Sequence, residues 1–306
     1  MLNPFNQTSL YGLNAYFDDL KYLYNKDKFP NKILLSGPKG TGKSTLALHF
    51  INYVLSKNED FIYDTKNFKI SKKNRSFNLI KNNISPNFYL IDIKKDKKNI
   101  EINQIRELIN FCNKSSLNDK PRFILIDNIE LMNLNSSNSL LKILEEPNSG
   151  IYFILINSSK KILSTINSRC LNFRITLPHK EHVEIFNTIM KIDIHNLINK
   201  DLISHYFTIG DIIELYEFAT KNDLDLKKTD LKNFLLKIID NNYYKNDTSV
   251  SKLIYVFIQM FFLENVNTKG NYEFYANFIN SINNIKKFNL DIESLFIQFR
   301  NQLINE

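Results

Sequence analysis

Gly37-Pro38-Lys39-Gly40-Thr41-Gly42-Lys43-Ser44 is the stretch that decides the fold. It follows a β-type run at 33–36 and opens a helical stretch at 45–55 that sets Ala47, Phe50, Ile51 and Val54 on one face. A strand, a glycine-rich loop and a helix in that order form a phosphate-binding P-loop. The glycines let the loop bend so that backbone N–H groups face the phosphates, and the helix N-terminus adds the positive end of its dipole. Lys43 then reaches the β and γ phosphates, and the Ser44 hydroxyl ligates Mg²⁺. Thr45 completes the expected nucleotide contacts. A glycine-rich turn matching by chance is the competing reading, and the strand-to-helix context counts against it.

Outward from that loop, the first half of the chain alternates short β-type runs with helical periods. Strands are expected at 33–36, 88–93, 123–127, 152–157 and 171–175, which predicts a parallel sheet with helices on both faces. A helix at 102–112 puts Ile105, Leu108, Ile109 and Cys112 on one face, so Cys112 reads as a core residue. The run Phe123-Ile124-Leu125-Ile126-Asp127 ends in the carboxylate expected to organise Mg²⁺ beside Ser44. A glutamate often follows that aspartate in P-loop enzymes that hydrolyse ATP efficiently; here the residue is Asn128, whose amide cannot accept a proton. Glu130 lies three residues on, with nothing in the sequence to aim it at the site. Nucleotide binding with weak or no hydrolysis is the expectation.

Composition narrows the rest. The chain has 306 residues, 43% hydrophobic and 24% charged, with only seven Gly and seven Pro, which excludes collagen-like, disordered and rod-like classes. A net charge of +8 favours polyanionic partners without naming one. Two cysteines, Cys112 and Cys170, cannot build a disulfide framework or a four-cysteine zinc site, which fits a reducing cytoplasm. The N-terminus has no apolar signal core, and the apolar run at 253–263 is too short to span a bilayer, so it reads as a buried bundle helix. No membrane association is expected. The Asn/Lys-rich stretch 66–83 reads as a surface insertion. Beyond Pro178 the β signal fades and helical periodicity continues to residue 306. His179 and His182, spaced i and i+3, lack a third ligand and read as solvated surface residues. The run Lys94-Lys95-Asp96-Lys97-Lys98 is either a phosphate contact or a solvated loop.

Further motifs carry a resemblance. Asn138-Ser139-Leu140-Leu141-Lys142-Ile143-Leu144-Glu145-Glu146-Pro147, then a strand, then Ser168-Arg169-Cys170, resemble the AAA+ subunits of bacterial clamp loaders, together with the P-loop and Asp127. The match covers most of residues 10–178. It implies an α/β AAA+ P-loop NTPase domain with a parallel five-stranded sheet at 1–177, a small helical lid at 178–224 and a C-terminal helical collar at 225–306. It also implies a heteropentamer in which Arg169 serves a neighbour's ATP site as an arginine finger, where such groups contribute on the order of 10³ or more in rate. A surface or ion-paired arginine is the plain alternative. Partners would be gamma/tau-type and delta-type subunits, the sliding clamp and, through the complex, primed DNA. Asn128 and the lack of a long C-terminal extension favour a non-motor scaffold subunit over a gamma-type motor or a stand-alone AAA+ ATPase.

The same resemblance makes Asn157 a sensor of the γ-phosphate, with a strand-ending turn as an even contender. It sets Tyr11 and Gly12 at the adenine pocket, against an equal reading as a turn leading into a helix. Around Gly210-Asp211 no arginine offers itself to the nucleotide, and the four-cysteine zinc module of many members has no counterpart, so zinc is not expected. Leu177 to Met190 reads as the first lid helix, and Phe288-Asn289-Leu290-Asp291 as the end of the collar.

Overall fold

In the computed structural model, residues 3–94, 97–158, 160–246, 250–264, 275–282, 284 and 293–305 are described. The run Phe288 to Asp291 lies outside them, as do Lys95 and Asp96. The chain divides into two compact units, 2–181 and 182–306.

The first unit is built on five strands: β1 Lys32–Ser36, β2 Phe88–Ile91, β3 Arg122–Ile126, β4 Ile151–Asn157 and β5 Leu171–Arg174. All pair in parallel, in the order β2-β3-β4-β1-β5. Each expected strand is present with ends shifted by at most two residues. Side chains alternate across the pleat, so each central strand feeds two cores. Ile33 and Leu35 face one, with Phe123, Leu125, Ile154 and Ile156. Leu34 faces the other, with Ile124, Ile126, Phe153 and Leu155. This two-sided burial explains why the strands read as unbroken apolar runs.

On the first face lie α1 (Asn14–Asn25) and α2 (Lys43–Leu55), whose Leu46, Phe50 and Ile51 are fully buried. Phe50 stacks on Phe29 at 4.7 Å between ring centroids. On the second face α4 (Ile102–Asn113) buries Ile105, Leu108 and Cys112, and α5 (Leu134–Glu145) buries Leu140 and Leu144. Helix α4 opens with a capping box between Glu101 and Gln104. At its other end, buried Arg122 donates to the carbonyls of Phe111 and Lys114 at 3.0 and 2.8 Å, satisfying groups the last turn leaves open.

The 66–83 stretch is not a surface insertion. Its α3 (Arg75–Lys81) packs Phe77 and Ile80 into the first core together with Ile70. Asn74, fully buried, caps α3 by accepting from Phe77 N–H at 2.7 Å, accepts from Asn52 at 2.9 Å and donates to the Phe61 carbonyl at 2.6 Å. The composition hid this because three apolar side chains and one asparagine do the packing, while the lysines between them point outward.

The second unit is helical: most of α7 (His179–Met190, whose first turn falls before the unit boundary), α8 (Ile209–Lys221), α9 (Leu231–Asp240), a short Tyr243–Asn246 turn, Val250–Glu264 and a last helix, Glu293–Asn305. Its core is aromatic: Phe257, fully buried, meets Phe207 and Phe234 edge-on at 5.5 and 5.1 Å. The apolar run at 253–263 is a bundle helix that buries Leu253, Ile254, Phe257, Ile258, Phe261 and Phe262. His182 departs from its expectation as a solvated residue. It is buried beside Ile185 and Phe186 on the inner face of α7, and its Nδ1 accepts from Ile209 N–H at 3.2 Å.

Candidate nucleotide site

The loop between β1 and α2 is fixed at its stem by the ends of two other strands. Gly37 N–H donates to the Asn157 carbonyl at 3.2 Å, and Ile175 N–H donates to the Ser36 carbonyl at 2.7 Å. The chains approach so closely that a Cβ on Gly37 would lie 2.1 Å from the Ile175 carbonyl oxygen. Gly42, at φ +86°, sits in the left-handed region and leads into α2 with no side chain capping that helix. The first N–H groups of α2 are therefore left to an anion or solvent. Thr41, buried, ties the loop to itself by donating to the Pro38 carbonyl at 3.0 Å. Pro38 and Lys39 are exposed, and Gly40 and Thr45 are half-buried.

Lys43 is 4% exposed, and its ammonium donates to the carbonyls of Gly37 and Pro38 at 2.9 and 2.5 Å. Burial pushes its pKa down to about 8, against the opposing pull of Asp127 and Glu130. Ser44 Oγ donates to Asp127 Oδ2 at 2.5 Å. Burial pushes the Asp127 carboxyl up, with Asp92 adding to the rise and the bonds from Ser44 and Asn128 N–H opposing it. A carboxylate and a hydroxyl side by side are hard oxygen donors, so the residues fit Mg²⁺, and the buried ammonium fits the phosphates such an ion accompanies.

Asn128 takes a left-handed turn at φ 54° directly after β3. Its amide donates to Asp92 Oδ1 at 2.8 Å, holding a carboxylate at the end of β2 rather than facing a nucleophile. The turn carries Glu130 back toward the loop. Glu130 accepts from Ser158 N–H at 3.3 Å, past the end of β4, and its charge acts on Lys43. Nothing in the sequence aims Glu130 there, because neither helical nor strand periodicity applies through a left-handed residue and a single 3₁₀ turn.

The Asn157 side chain closes a turn, donating to the Lys160 carbonyl at 2.9 Å and accepting from Lys160 N–H at 3.3 Å, while its backbone carbonyl holds the P-loop. Gly12, at φ +69°, turns the chain into α1, and Tyr11 beside it is half-buried. Both cysteine thiols are pushed up to about 11 by burial, the reverse of a reactive thiolate. Asp211 is engaged in a capping box with Thr208 at the start of α8, and the sequence carries no arginine between Arg174 and Arg300.

Arg169 follows a short helix, α6 (Ser164–Asn167). Its guanidinium donates to Glu145 Oε1 at 2.7 Å and to the Thr165 carbonyl at 2.9 Å. The side chain is 33% exposed and its acidic partner 53%. A partly exposed surface pair of that kind is worth about 0.2–1 kcal/mol and costs little to break.

A profile of the family described as DNA polymerase III, delta subunit matches residues 12–179. The chain belongs to that family. Among its relatives, the delta prime subunit of DNA polymerase III from Pseudomonas aeruginosa is 30% identical over 146 residues, covering 47% of this chain and 43% of that one. The delta prime subunit from Buchnera aphidicola is 25% identical over 327 aligned positions, covering 94% of each. The matched chain thus spans less than half of the Pseudomonas relative and nearly all of the Buchnera one. A solved gamma subunit-related protein of DNA polymerase III from Thermotoga maritima shares the fold, with TM-score 0.53 over 93% of this chain and 98% of that one at 17% identity. The family is the one its motifs resemble, the AAA+ subunits of the DNA polymerase III clamp loader. Among the described residues no helix is long and apolar enough to cross a membrane.

Proposed function

We propose that this family member works as a delta prime-type scaffold of the clamp loader, binding ATP and Mg²⁺ in its own loop and lending Arg169 to a neighbour. The observation that carries the reading is the contrast between an enclosed Lys43, Ser44 and Asp127 set and an arginine held at the surface. Residues 37–45 would cradle the phosphates, and Ser44 and Asp127 would hold Mg²⁺, which neutralises phosphate charge when bound. Lys43 would exchange its loop carbonyls for phosphate oxygens. Asn128, occupied with Asp92, supplies no base for the attacking water, which supports weak or no hydrolysis. Asn157 holds the loop through its backbone carbonyl, Tyr11 and Gly12 precede Leu13, whose side chain would lie 3.1 Å from a Cβ on Gly42, and all three would complete the nucleotide contacts. Residues 178–224 would act as lid and 225–306 as collar, joining gamma/tau-type and delta-type subunits in the cytoplasm to place a sliding clamp on primed DNA.

The test is a pull-down with those subunits paired with ATPase assays of the isolated chain. Capture in the complex, with solitary turnover well below about 1 s⁻¹, is expected. Failure to assemble, or fast solitary turnover, would overturn the scaffold reading. Glu130, whose charge reaches Lys43, favours the second reading of a gamma-type motor with a displaced carboxylate, and fast turnover that collapses in Glu130→Gln would establish it.

A further inference from the structure

From Thr65 to Ile91 the sequence has no Asp or Glu but carries Lys66, Lys69, Lys72, Lys73, Arg75 and Lys81. All six are exposed, and none lies within ion-pairing distance of a described carboxylate. The nearest acid along the chain, Asp64, gives its oxygens to Asn67 and to Lys66 N–H. The segment is held as a firm surface by α3 and by the antiparallel bridge of Asp64 with Lys69. Asp64 offsets part of the Lys69 charge and Glu59 is held by Ser76, but cations still outnumber acids on the segment, and a polyanion relieves their mutual repulsion.

The same surface presents an apolar ring. Phe61 is 44% exposed and its neighbour Ile62 57%. Lys73 Nζ lies 5.6 Å from the Phe61 ring centroid, and the Phe61 carbonyl is tied to Asn74 at 2.6 Å, so the ring sits directly beside a cation of this segment. A duplex keeps its bases stacked inside and would use the charge while leaving the ring idle. A single strand uses both, since a base stacks on the ring while its phosphate meets the ammonium beside it.

We infer that the face formed by Phe61, Ile62 and the cations of residues 66–81 is a binding surface for single-stranded nucleic acid, separate from the nucleotide loop. Fluorescence anisotropy of a labelled 20-nucleotide oligothymidylate against the full chain tests it. Four to six phosphate contacts give a slope of log affinity against log salt of about −2.8 to −4.2. Lys72→Glu with Lys73→Glu should weaken binding at least 10-fold at about 50 mM salt and flatten the slope by about 1.4. Phe61→Ala should weaken it at least five-fold with the slope unchanged, the signature of lost stacking. Lys227→Glu with Lys228→Glu, equally exposed in the other unit, should change nothing. Circular dichroism and ATP affinity should be unaltered in all these variants, so a failed nucleotide site and a failed strand site give different results. The inference is overturned by salt-insensitive or absent binding or by equal binding of the Lys72/Lys73 variant. It is equally overturned by retained affinity in Phe61→Ala, and by duplex DNA, phosphatidylserine vesicles or polyglutamate binding as tightly as the single strand.

Discussion

Lys43 and Arg169 lie in the same compact unit and are treated in opposite ways. Lys43 is wrapped in the carbonyls of its own loop and pushed down in pKa by burial, and its neighbours Ser44 and Asp127 hold each other. Arg169 is held by one exposed glutamate and one carbonyl at the surface. A buried cation is costly unless something anionic arrives to share the site, whereas an exposed guanidinium costs little and can change partners. On the proposed function, that difference is the one expected between a group kept for the chain's own nucleotide and a group offered to a neighbour.

The largest effect expected within that contrast is on the enclosed side. Lys43→Met should weaken ATP binding about 100-fold, because charge-assisted hydrogen bonds to phosphate contribute about 1.5–3 kcal/mol each; titration with a fluorescent ATP analogue measures it, and near-normal affinity would break the contrast. Gly37→Ala should lower the unfolding free energy by about 3 kcal/mol, since its Cβ meets the Ile175 carbonyl rather than a yielding side chain. Urea denaturation reports that loss, and an unchanged midpoint would mean the stem is looser than its geometry. Arg169→Ala, on the displayed side, should alter the same midpoint by less than about 1 kcal/mol.

A subtler expectation follows from the lowered pKa of Lys43. Between about 8 and the ordinary lysine value of 10.5, the unfolded chain keeps a proton that the folded loop gives up, so stability rises with pH across that window. Phosphates favour the charged ammonium, so ATP binding near pH 9 should take up as much as about one proton and weaken as pH rises further. Calorimetry in two buffers of different ionisation enthalpy reads that uptake, and its absence would remove Lys43 from contact with the phosphates.

Much of this was legible because each signal had a local cause. The strands announce themselves as apolar runs buried on both faces, and the P-loop as glycines at a strand-to-helix junction. What stayed hidden depends on contacts distant in sequence. Asn74 and the cap of α3 are fixed by Asn52 and Phe61, and His182 by Ile209, none of which composition can pair. Asn128 reads from the sequence as a missing carboxylate, yet its position comes from a bond to Asp92 on the neighbouring strand. Glu130 reaches the site only because the left-handed Asn128 reverses the chain.

The most direct test of the account is Arg169→Ala incorporated into the reconstituted clamp loader, with ATP turnover of the assembled complex measured beside the ATP affinity of the isolated variant. Unchanged affinity and intact assembly, with turnover at the neighbouring site lowered by on the order of 10³, is the expected result; turnover equal to that of the unaltered complex would contradict it.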